Sequence, residues 1–196
     1  CHTRRQRQMC IRDSPKGVLY SHRSTILHAW IVSSGNVAKV SSSSCILPVV
    51  PMFHVNAWGI PYAGAMFGAK LVFPGPSLDG ASIYELIDNE KPDLLMGVPT
   101  VWLGLLQHLR ETNQTLDCVE TALVGGSAAP RAMIQEFEEE HDVFLMHGWG
   151  MTEMSPLGTA TSRTKEMDNL EIEKRYDLSL IHISEPTRLL SSSYSV

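Results

Sequence analysis

The chain has 196 residues, a formal net charge of −5, and 43% hydrophobic against 19% charged residues. This composition is typical of a globular domain and argues against a disordered or fibrous chain. No apolar run approaches the roughly 18 to 20 residues that a membrane-spanning helix needs, so we expect no transmembrane segment.

The two ends of the sequence back-translate into complementary DNA. Residues 8–14 read QMCIRDS, and residues 178–184 read LSLIHIS. The first back-translates through AGATGTGTATAAGAGACAG, and the second back-translates as its reverse complement, CTGTCTCTTATACACATCT. This element resembles the transposon end used in tagmentation sequencing libraries, and unrelated protein termini have no reason to be complementary. We therefore predict adapter-derived tails at residues 1–14, which would be disordered, and 178–196.

The alternative interpretation of the first tail is a basic arm for nucleic acid. Its basic residues are Arg4, Arg5, Arg7 and Arg12. That interpretation does not explain the complementarity. Because the tails hold more basic than acidic side chains, residues 15–177 are more acidic than the whole chain, and we expect no nucleic-acid partner. Cys45 and Cys118 remain, without CxxC spacing, so the expected location is the reducing cytoplasm.

Strand-like and helix-like stretches alternate between the tails. Short apolar runs predict strands at residues 45–50, 70–73, 93–98, 119–124 and 143–146. Helices are predicted at residues 57–68, 81–90 with Asp79 as a cap, 99–110 and 130–140. This alternation indicates βαβ units and an α/β fold with layered, largely parallel sheets and flanking helices. Periodicity is lost after Pro156, which predicts an irregular polar segment at 161–177.

Glycine-rich or polar stretches follow three of the predicted strands, at residues 97–100, 125–130 and 147–153. In parallel sheets the carboxyl ends of the strands meet at one edge, where ligands bind. Glycine lets backbone N–H groups approach a ligand closely, and a helix start favours an anion. Neither GxGxxG nor GxxxxGK[ST] is present, which disfavours a dinucleotide oxidoreductase and a P-loop NTPase.

Five segments match the motifs of one enzyme family in order, from residue 15 to about residue 158. They are PKGVLYSHRS at 15–24, PMFHVNAWG at 51–59, GVPTVW at 97–102, GGSAAP at 125–130 and GWGMTE at 148–153. Together they resemble the adenylate-forming, or AMP-binding, superfamily, and within it the medium- and long-chain fatty acyl-CoA synthetase branch. The family usually has Tyr where Trp149 stands. The resemblance implies that residues 15–160 are part of the family's large N-terminal AMP-binding domain.

What the resemblance implies chemically is ATP-dependent activation of a carboxylic acid, in this branch a fatty acid. The carboxylate attacks the α-phosphate of ATP, giving an acyl-adenylate and pyrophosphate, and the thiol of coenzyme A then displaces AMP. The implied cofactors are ATP/AMP, Mg²⁺ and coenzyme A. Fixed donors and cations carry most of the catalysis in such transfers.

The resemblance also assigns roles to individual residues. Thr152 would bind the α-phosphate, and Glu153 would be the metal ligand, a carboxylate suited to Mg²⁺. Lys16 would lie beside the phosphate loop, and His54 near the substrate carboxylate and the entrance for coenzyme A. The implied nucleotide-binding residues are Gly126, Ser127, Ala128, His147, Gly148, Trp149, Gly150, Met151 and Thr152. The implied acyl-pocket residues are His54, Val55, Trp58, Gly97, Val98 and Thr100.

Three parts of the family pattern are missing from the chain. The Ser/Thr/Gly-rich stretch before Pro15 is absent, the ribose-binding Asp is not recognisable before Asp177, and the C-terminal subdomain with its catalytic Lys lies outside. We therefore expect the 196-residue chain as written to be inactive. Two alternatives stay open, an adenylation module that loads a carrier protein and a non-catalytic nucleotide-binding fragment. The identity of the acid and a homodimer of the full-length parent are also open.

Overall fold

The computed structural model describes residues 17–162 and 164–176, along which strands and helices alternate. The strands are β1 (Cys45–Pro48), β2 (Lys70–Leu71), β3 (Leu94–Gly97), β4 (Thr121–Val124), β5 (Phe144–Gly150) and β6 (Leu157–Ala160). The helices are α1 (His22–Val32), α2 (Val55–Trp58), α3 (Ile60–Phe67), α4 (Gly80–Glu90), α5 (Pro99–Thr112), α6 (Arg131–His141) and α7 (Lys165–Asp168), with a 3-10 turn at Thr152–Met154. The tails predicted at 1–14 and 178–196, and Lys16, lie outside the described residues.

The strands form one sheet in the order β2-β1-β3-β4-β5-β6. The first five are parallel, and β6 runs antiparallel to β5. All four residues of β3 are buried, as expected of a central parallel strand covered on both faces. The predicted α/β fold with a largely parallel sheet is thereby confirmed.

Helices cover the two faces of the sheet. On one face, α4, α5 and α6 bury Ile83, Trp102 and Phe137. On the other, α1 and α3 bury Ala29 and Ile60. Two apolar cores therefore sandwich the sheet, and the carboxyl ends of its parallel strands lie at one edge between them.

Strand register places the three polar stretches on that edge. Gly97, the last residue of β3, pairs with Val124 of β4, and Val124 pairs with His147 of β5. The segments that follow Gly97 and Val124 therefore leave the sheet side by side, next to the last residues of β5, which continues to Gly150. The sequence-based expectation that they converge is confirmed.

Helix boundaries follow local chemistry where a cap is present. Asp79 caps α4 by accepting a hydrogen bond from the backbone N–H of Ser82 at 3.0 Å, as predicted. By contrast, the predicted helix at 57–68 begins only at Ile60, because Val55–Trp58 form a separate left-handed turn. The polar region after Pro156 holds β6 and α7, which periodicity did not predict.

Helix α1 was also missed by sequence patterning. Its buried residues include His28, whereas Trp30 and Ile31 are exposed. Burial in α1 thus does not follow hydrophobicity, so no amphipathic signal exists to find it.

Candidate active site at the carboxyl edge of the sheet

A cavity of about 340 Å³ lies at the carboxyl ends of β3, β4 and β5. Its apolar wall comes from the core on the α1–α3 side of the sheet and its polar wall from the loops after the strands. The lining residues are His28, Val32, Val37, His54, Val55, Trp58, Met96, Leu123, Gly125, Gly126, Gly148, Trp149, Gly150, Met151, Thr152, Glu153, Pro156 and Leu157. One end of the cavity is therefore apolar, and the other presents glycines, a hydroxyl and a carboxylate.

The left-handed turn α2 directs its side chains into this cavity. Val55 and Trp58 have φ values of 52° and 55°, although neither is glycine. Non-glycine residues in this conformation cost roughly 1–2 kcal/mol each, so packing must compensate the strain. Ala57 within the turn is completely buried and supplies part of that packing. The turn thereby presents Val55 and Trp58, together with the preceding His54, to one cavity.

Gly59 ends this turn and makes room for His28. Its φ is +74°, and a Cβ atom there would lie 2.7 Å from the imidazole ring of His28. Glycine is therefore required both by the backbone conformation and by the close approach. The result is that a buried imidazole from α1 reaches the apolar end of the cavity.

The polar end is built by the connection between β5 and β6. The backbone N–H of Met151 donates to the carbonyl of Pro156 at 2.9 Å, and that of Met154 donates to the carbonyl of Met151 at 2.9 Å. These bonds close the 3-10 turn, which leaves the side chains of Thr152 and Glu153 exposed at the cavity.

Tyr20 contacts this turn from the other end of the chain. Its hydroxyl donates a hydrogen bond to the carbonyl oxygen of Thr152. Burial, and then the negative charge of Glu153, raise the pKa of Tyr20 above its usual value. The hydroxyl therefore stays protonated, and a donor, at neutral pH.

Two aromatic or heteroaromatic groups of β5 stand beside the glycine loop after β4. The ring of Trp149 is half exposed and packs over Gly158, where a Cβ atom would lie 2.7 Å from it. His147 is only 6% exposed, and its buried Nδ1 atom has no hydrogen-bond partner among the described residues. Burial lowers the pKa of His147, and a backbone hydrogen bond with Ser127 partly opposes that shift. The imidazole of His147 is therefore a neutral, buried group beside the loop that holds Ser127.

The structure brings together ten of the residues named from the sequence. They are His54, Val55, Trp58, Gly126, Gly148, Trp149, Gly150, Met151, Thr152 and Glu153. The other predicted site residues that the structure describes do not line the cavity. Gly97 packs against the ring of Trp102, Thr100 is exposed on α5, and Val98 lies beside Gly126. Ser127 and Ala128 are exposed in the loop before α6, and His147 lies buried beside that loop.

Sequence reasoning missed the apolar half of the lining. The missed residues are His28, Val32, Val37, Met96, Leu123 and Leu157. They belong to ordinary core elements and carry no motif. Met96 and Leu123 could have been found from strand register alone, since they pair across β3 and β4.

Among the described residues, no cluster of three or more His, Cys, Asp or Glu side chains could hold a metal ion by itself. Glu153 is the carboxylate that lines the cavity. Magnesium is commonly held by only one or two carboxylates together with phosphate oxygens and water. The donor set therefore fits a magnesium ion that arrives with a nucleotide better than a resident metal.

No helix among the described residues is long and apolar enough to span a bilayer.

Two buried histidines, His28 and His147, and the partly buried His141 make the stability of the fold depend on pH. Burial lowers the pKa of His28, His141 and His147 below the ordinary value. Below about pH 6.5 the unfolded chain therefore binds more protons than the folded one, and the free energy of unfolding falls as the pH decreases. We expect the urea midpoint to drop between about pH 7.5 and pH 5.5. Replacing His28 and His147 by Gln should make the urea midpoint depend less on pH, whereas replacing the exposed His22 by Gln should not. A midpoint that rises on acidification would contradict the assignment.

Comparison with known proteins identifies the family. A family model described as AMP-binding enzyme matches residues 14–178. A 3-methylmercaptopropionyl-CoA ligase from Ruegeria lacuscaerulensis is 49% identical over 164 residues, which are 84% of this chain and 30% of that protein. A medium-chain-fatty-acid–CoA ligase from Ectopseudomonas oleovorans is 48% identical, and a long-chain-fatty-acid–CoA ligase from Thermus thermophilus is 45% identical, each with the same two coverages. The chain thus spans about 30% of the length of these relatives.

Solved structures agree at the level of the fold. A long-chain-fatty-acid–CoA ligase from Archaeoglobus fulgidus superposes with a TM-score of 0.68 at 21% identity, covering 85% of this chain and 33% of that one. An o-succinylbenzoate coenzyme A synthetase from Bacillus subtilis, in complex with ATP and magnesium ion, has a TM-score of 0.66 at 22% identity, covering 80% and 31%. The family match, the relatives and the shared fold agree, and the chain belongs to the AMP-binding enzyme family.

Proposed function

We propose that the full-length protein activates a carboxylic acid with ATP and Mg²⁺ and transfers the acyl group to coenzyme A. The observation that carries this proposal is that one cavity joins an apolar wall to the Thr152–Glu153 turn. Such a cavity can hold an aliphatic chain and a nucleotide phosphate next to each other. The relatives named above are ligases that join acids to coenzyme A, which supports the same conclusion.

At the polar end, the side chains bind and orient the nucleotide. The hydroxyl of Thr152 would donate to the phosphate that reacts, and the carboxylate of Glu153 would hold magnesium beside it. When bound, the metal supplies positive charge that neutralises the crowded phosphate oxygens. Trp149 offers an exposed indole face for stacking on the base.

At the apolar end, the lining favours an aliphatic acyl chain. Val32, Val37 and Leu157 contribute hydrocarbon surface to the cavity. Trp58 packs against the glycine loop after β4, where a Cβ atom at Gly125 would lie 3.0 Å from its ring. His54 is exposed beside Trp58 and is the candidate to orient the carboxylate and the incoming thiol. We propose a fatty acid as the substrate class.

The size of the apolar end should control chain length. We expect Val37→Phe in the full-length protein to lower kcat/KM for octanoate about tenfold while leaving butyrate within about twofold, because added ring volume excludes methylenes. The matched control is Leu78→Phe, at an exposed position outside the cavity. Equal losses for both acids would contradict the assignment of this wall to the acyl chain.

Product analysis tests the proposed function directly. The purified full-length protein is incubated with ATP, Mg²⁺ and octanoate, with either coenzyme A or a phosphopantetheinyl carrier protein, and the products are identified by mass spectrometry. The proposal predicts octanoyl-CoA and AMP. Acyl-carrier product alone would indicate an adenylation module, and no acyl product with retained AMP binding would indicate a non-catalytic nucleotide-binding protein.

We also propose that the two terminal segments, residues 1–14 and 178–196, derive from sequencing adapters. Their complementary back-translations support it, as does a family match that spans residues 14–178. Resequencing the source DNA across both junctions should replace the tails with family sequence. Recovery of the same codons from genomic DNA would contradict it. The 196-residue chain itself stays predicted to be inactive, and the cytoplasm stays its proposed location.

A further inference from the structure

The hydroxyl of Tyr20 connects the Thr152–Met154 turn to a distant part of the chain. It donates to the carbonyl oxygen of Thr152, 132 positions away in the sequence. The backbone hydrogen bonds recorded for the turn stay within residues 151–156, and one of them, from the N–H of Ser155, reaches the same carbonyl at 3.4 Å. Among the described residues, Tyr20 therefore provides the turn's side-chain link to another element.

Tyr20 is itself well anchored. It directly precedes Ser21, the N-cap of α1, whose hydroxyl oxygen accepts a hydrogen bond from the backbone N–H of Ser24 at 3.0 Å. Helix α1 is fixed in the core by Ala29 and Val32, which are almost completely buried. The phenol ring consequently ties an exposed turn to a rigid helix.

The turn needs such a tie because its functional side chains have none. Thr152 and Glu153 are exposed at the cavity, and within the described part of the chain neither side chain has a hydrogen-bond or ion-pair partner. Their directions are therefore set by the backbone of the turn. Any tilt of the Thr152 peptide would redirect both side chains together.

We propose that Tyr20 is a positioning residue that orients Thr152 and Glu153 toward the phosphates and magnesium of the bound nucleotide. This inference rests on the proposed function. Tyr20 touches the backbone of the turn and not the acyl wall of the cavity. Loss of its hydroxyl should therefore weaken the magnesium-dependent part of nucleotide binding and leave acid binding unchanged.

The test compares Tyr20→Phe with wild type in the full-length protein. Calorimetry measures the Kd of ATP in the presence of Mg²⁺ and in EDTA, and steady-state kinetics measure the half-saturating Mg²⁺ concentration and the KM of octanoate. We expect the ratio of the Kd of ATP in EDTA to the Kd with Mg²⁺ to fall about fivefold in Tyr20→Phe, which is the effect expected from the loss of one hydrogen bond. The half-saturating Mg²⁺ concentration should rise by a similar factor, while the Kd in EDTA and the KM of octanoate change less than twofold.

The matched control is Tyr62→Phe, which removes the same hydroxyl from an exposed tyrosine of α3 outside the cavity. It should leave all four quantities unchanged. If Tyr20 has only a structural role, Tyr20→Phe should weaken ATP binding equally with Mg²⁺ and in EDTA. Either that result or an unchanged effect of Mg²⁺ on ATP affinity would overturn this inference and leave the proposed function standing. Wild type that shows no magnesium-dependent ATP binding would overturn both this inference and the proposed function.

Discussion

Replacing Glu153 by Gln in the full-length protein is expected to lower acid-dependent pyrophosphate release at least about a hundredfold. Glutamine keeps the size and shape of the side chain but removes the charge that holds magnesium beside the phosphates. The exposed carboxylate of Glu153 lines the cavity within the 3-10 turn, and in the described residues no neighbouring cluster of ligands could replace it. The loss should therefore appear mainly in kcat, with the KM of the acid little changed.

The matched control for this substitution is Glu140→Gln. Glu140 is an exposed carboxylate on α6 and does not line the cavity. Glu140→Gln should leave the rate of acid-dependent pyrophosphate release within about twofold of wild type, as expected of a surface substitution away from the site. If Glu153→Gln retains more than about a tenth of the wild-type rate, Glu153 is not the magnesium ligand.

Replacing Trp102 by Ala is expected to reduce the free energy of unfolding by about 3–5 kcal/mol. The indole is completely buried, packs edge-on against Phe137 with ring centroids 6.3 Å apart, and donates from Nε1 to the carbonyl of Leu123 at 3.2 Å. Alanine would leave a cavity between α5, α6 and the sheet and would remove the hydrogen bond from the indole to Leu123. Urea unfolding followed by circular dichroism measures the loss.

Two variants separate the parts of the Trp102 effect. Leu103→Ala changes the next residue of α5, which is half exposed, and should cost less than about 1 kcal/mol. Trp102→Phe keeps most of the ring volume but removes the N–H donor. Its loss in the free energy of unfolding should lie between those of Trp102→Ala and Leu103→Ala. A loss below about 1 kcal/mol for Trp102→Ala would show that the indole does not hold α5 against the sheet.

The position of Trp102 also links stability to the site. A Cβ atom at Gly97 would lie 2.7 Å from its ring, so the indole packs directly behind the end of β3. Gly97 sits at the carboxyl edge next to the cavity. A variant that stays folded but shifts this strand end should also bind nucleotide less well.

Much of the fold could be predicted from sequence because its signals are local. The strand-like runs around Leu94 and Thr121 are apolar and short, and the cap at Asp79 is a side-chain feature of the residue itself. Helix α1 and strand β6 escaped prediction for the opposite reason. The first exposes apolar residues such as Trp30, and the second contains Gly158 and Thr159, so neither shows a regular apolar face.

The candidate site divides in the same way. Its polar half could be found from motifs, because Trp149, Thr152 and Glu153 lie close together in sequence. Its apolar half depends on tertiary packing, since His28 reaches the cavity only because Gly59 adopts a positive φ and leaves space for the ring. Tyr20 likewise meets Thr152 through the fold and not through any sequence spacing.

The most direct test of the central claim is the exchange of labelled pyrophosphate into ATP by the purified full-length protein, without coenzyme A. We predict exchange that requires Mg²⁺, depends on added octanoate and is lost in Glu153→Gln. This outcome would establish that one cavity joins a carboxylic acid to the α-phosphate of ATP. ATP binding without acid-dependent exchange would contradict the account and would assign this cavity to nucleotide binding alone.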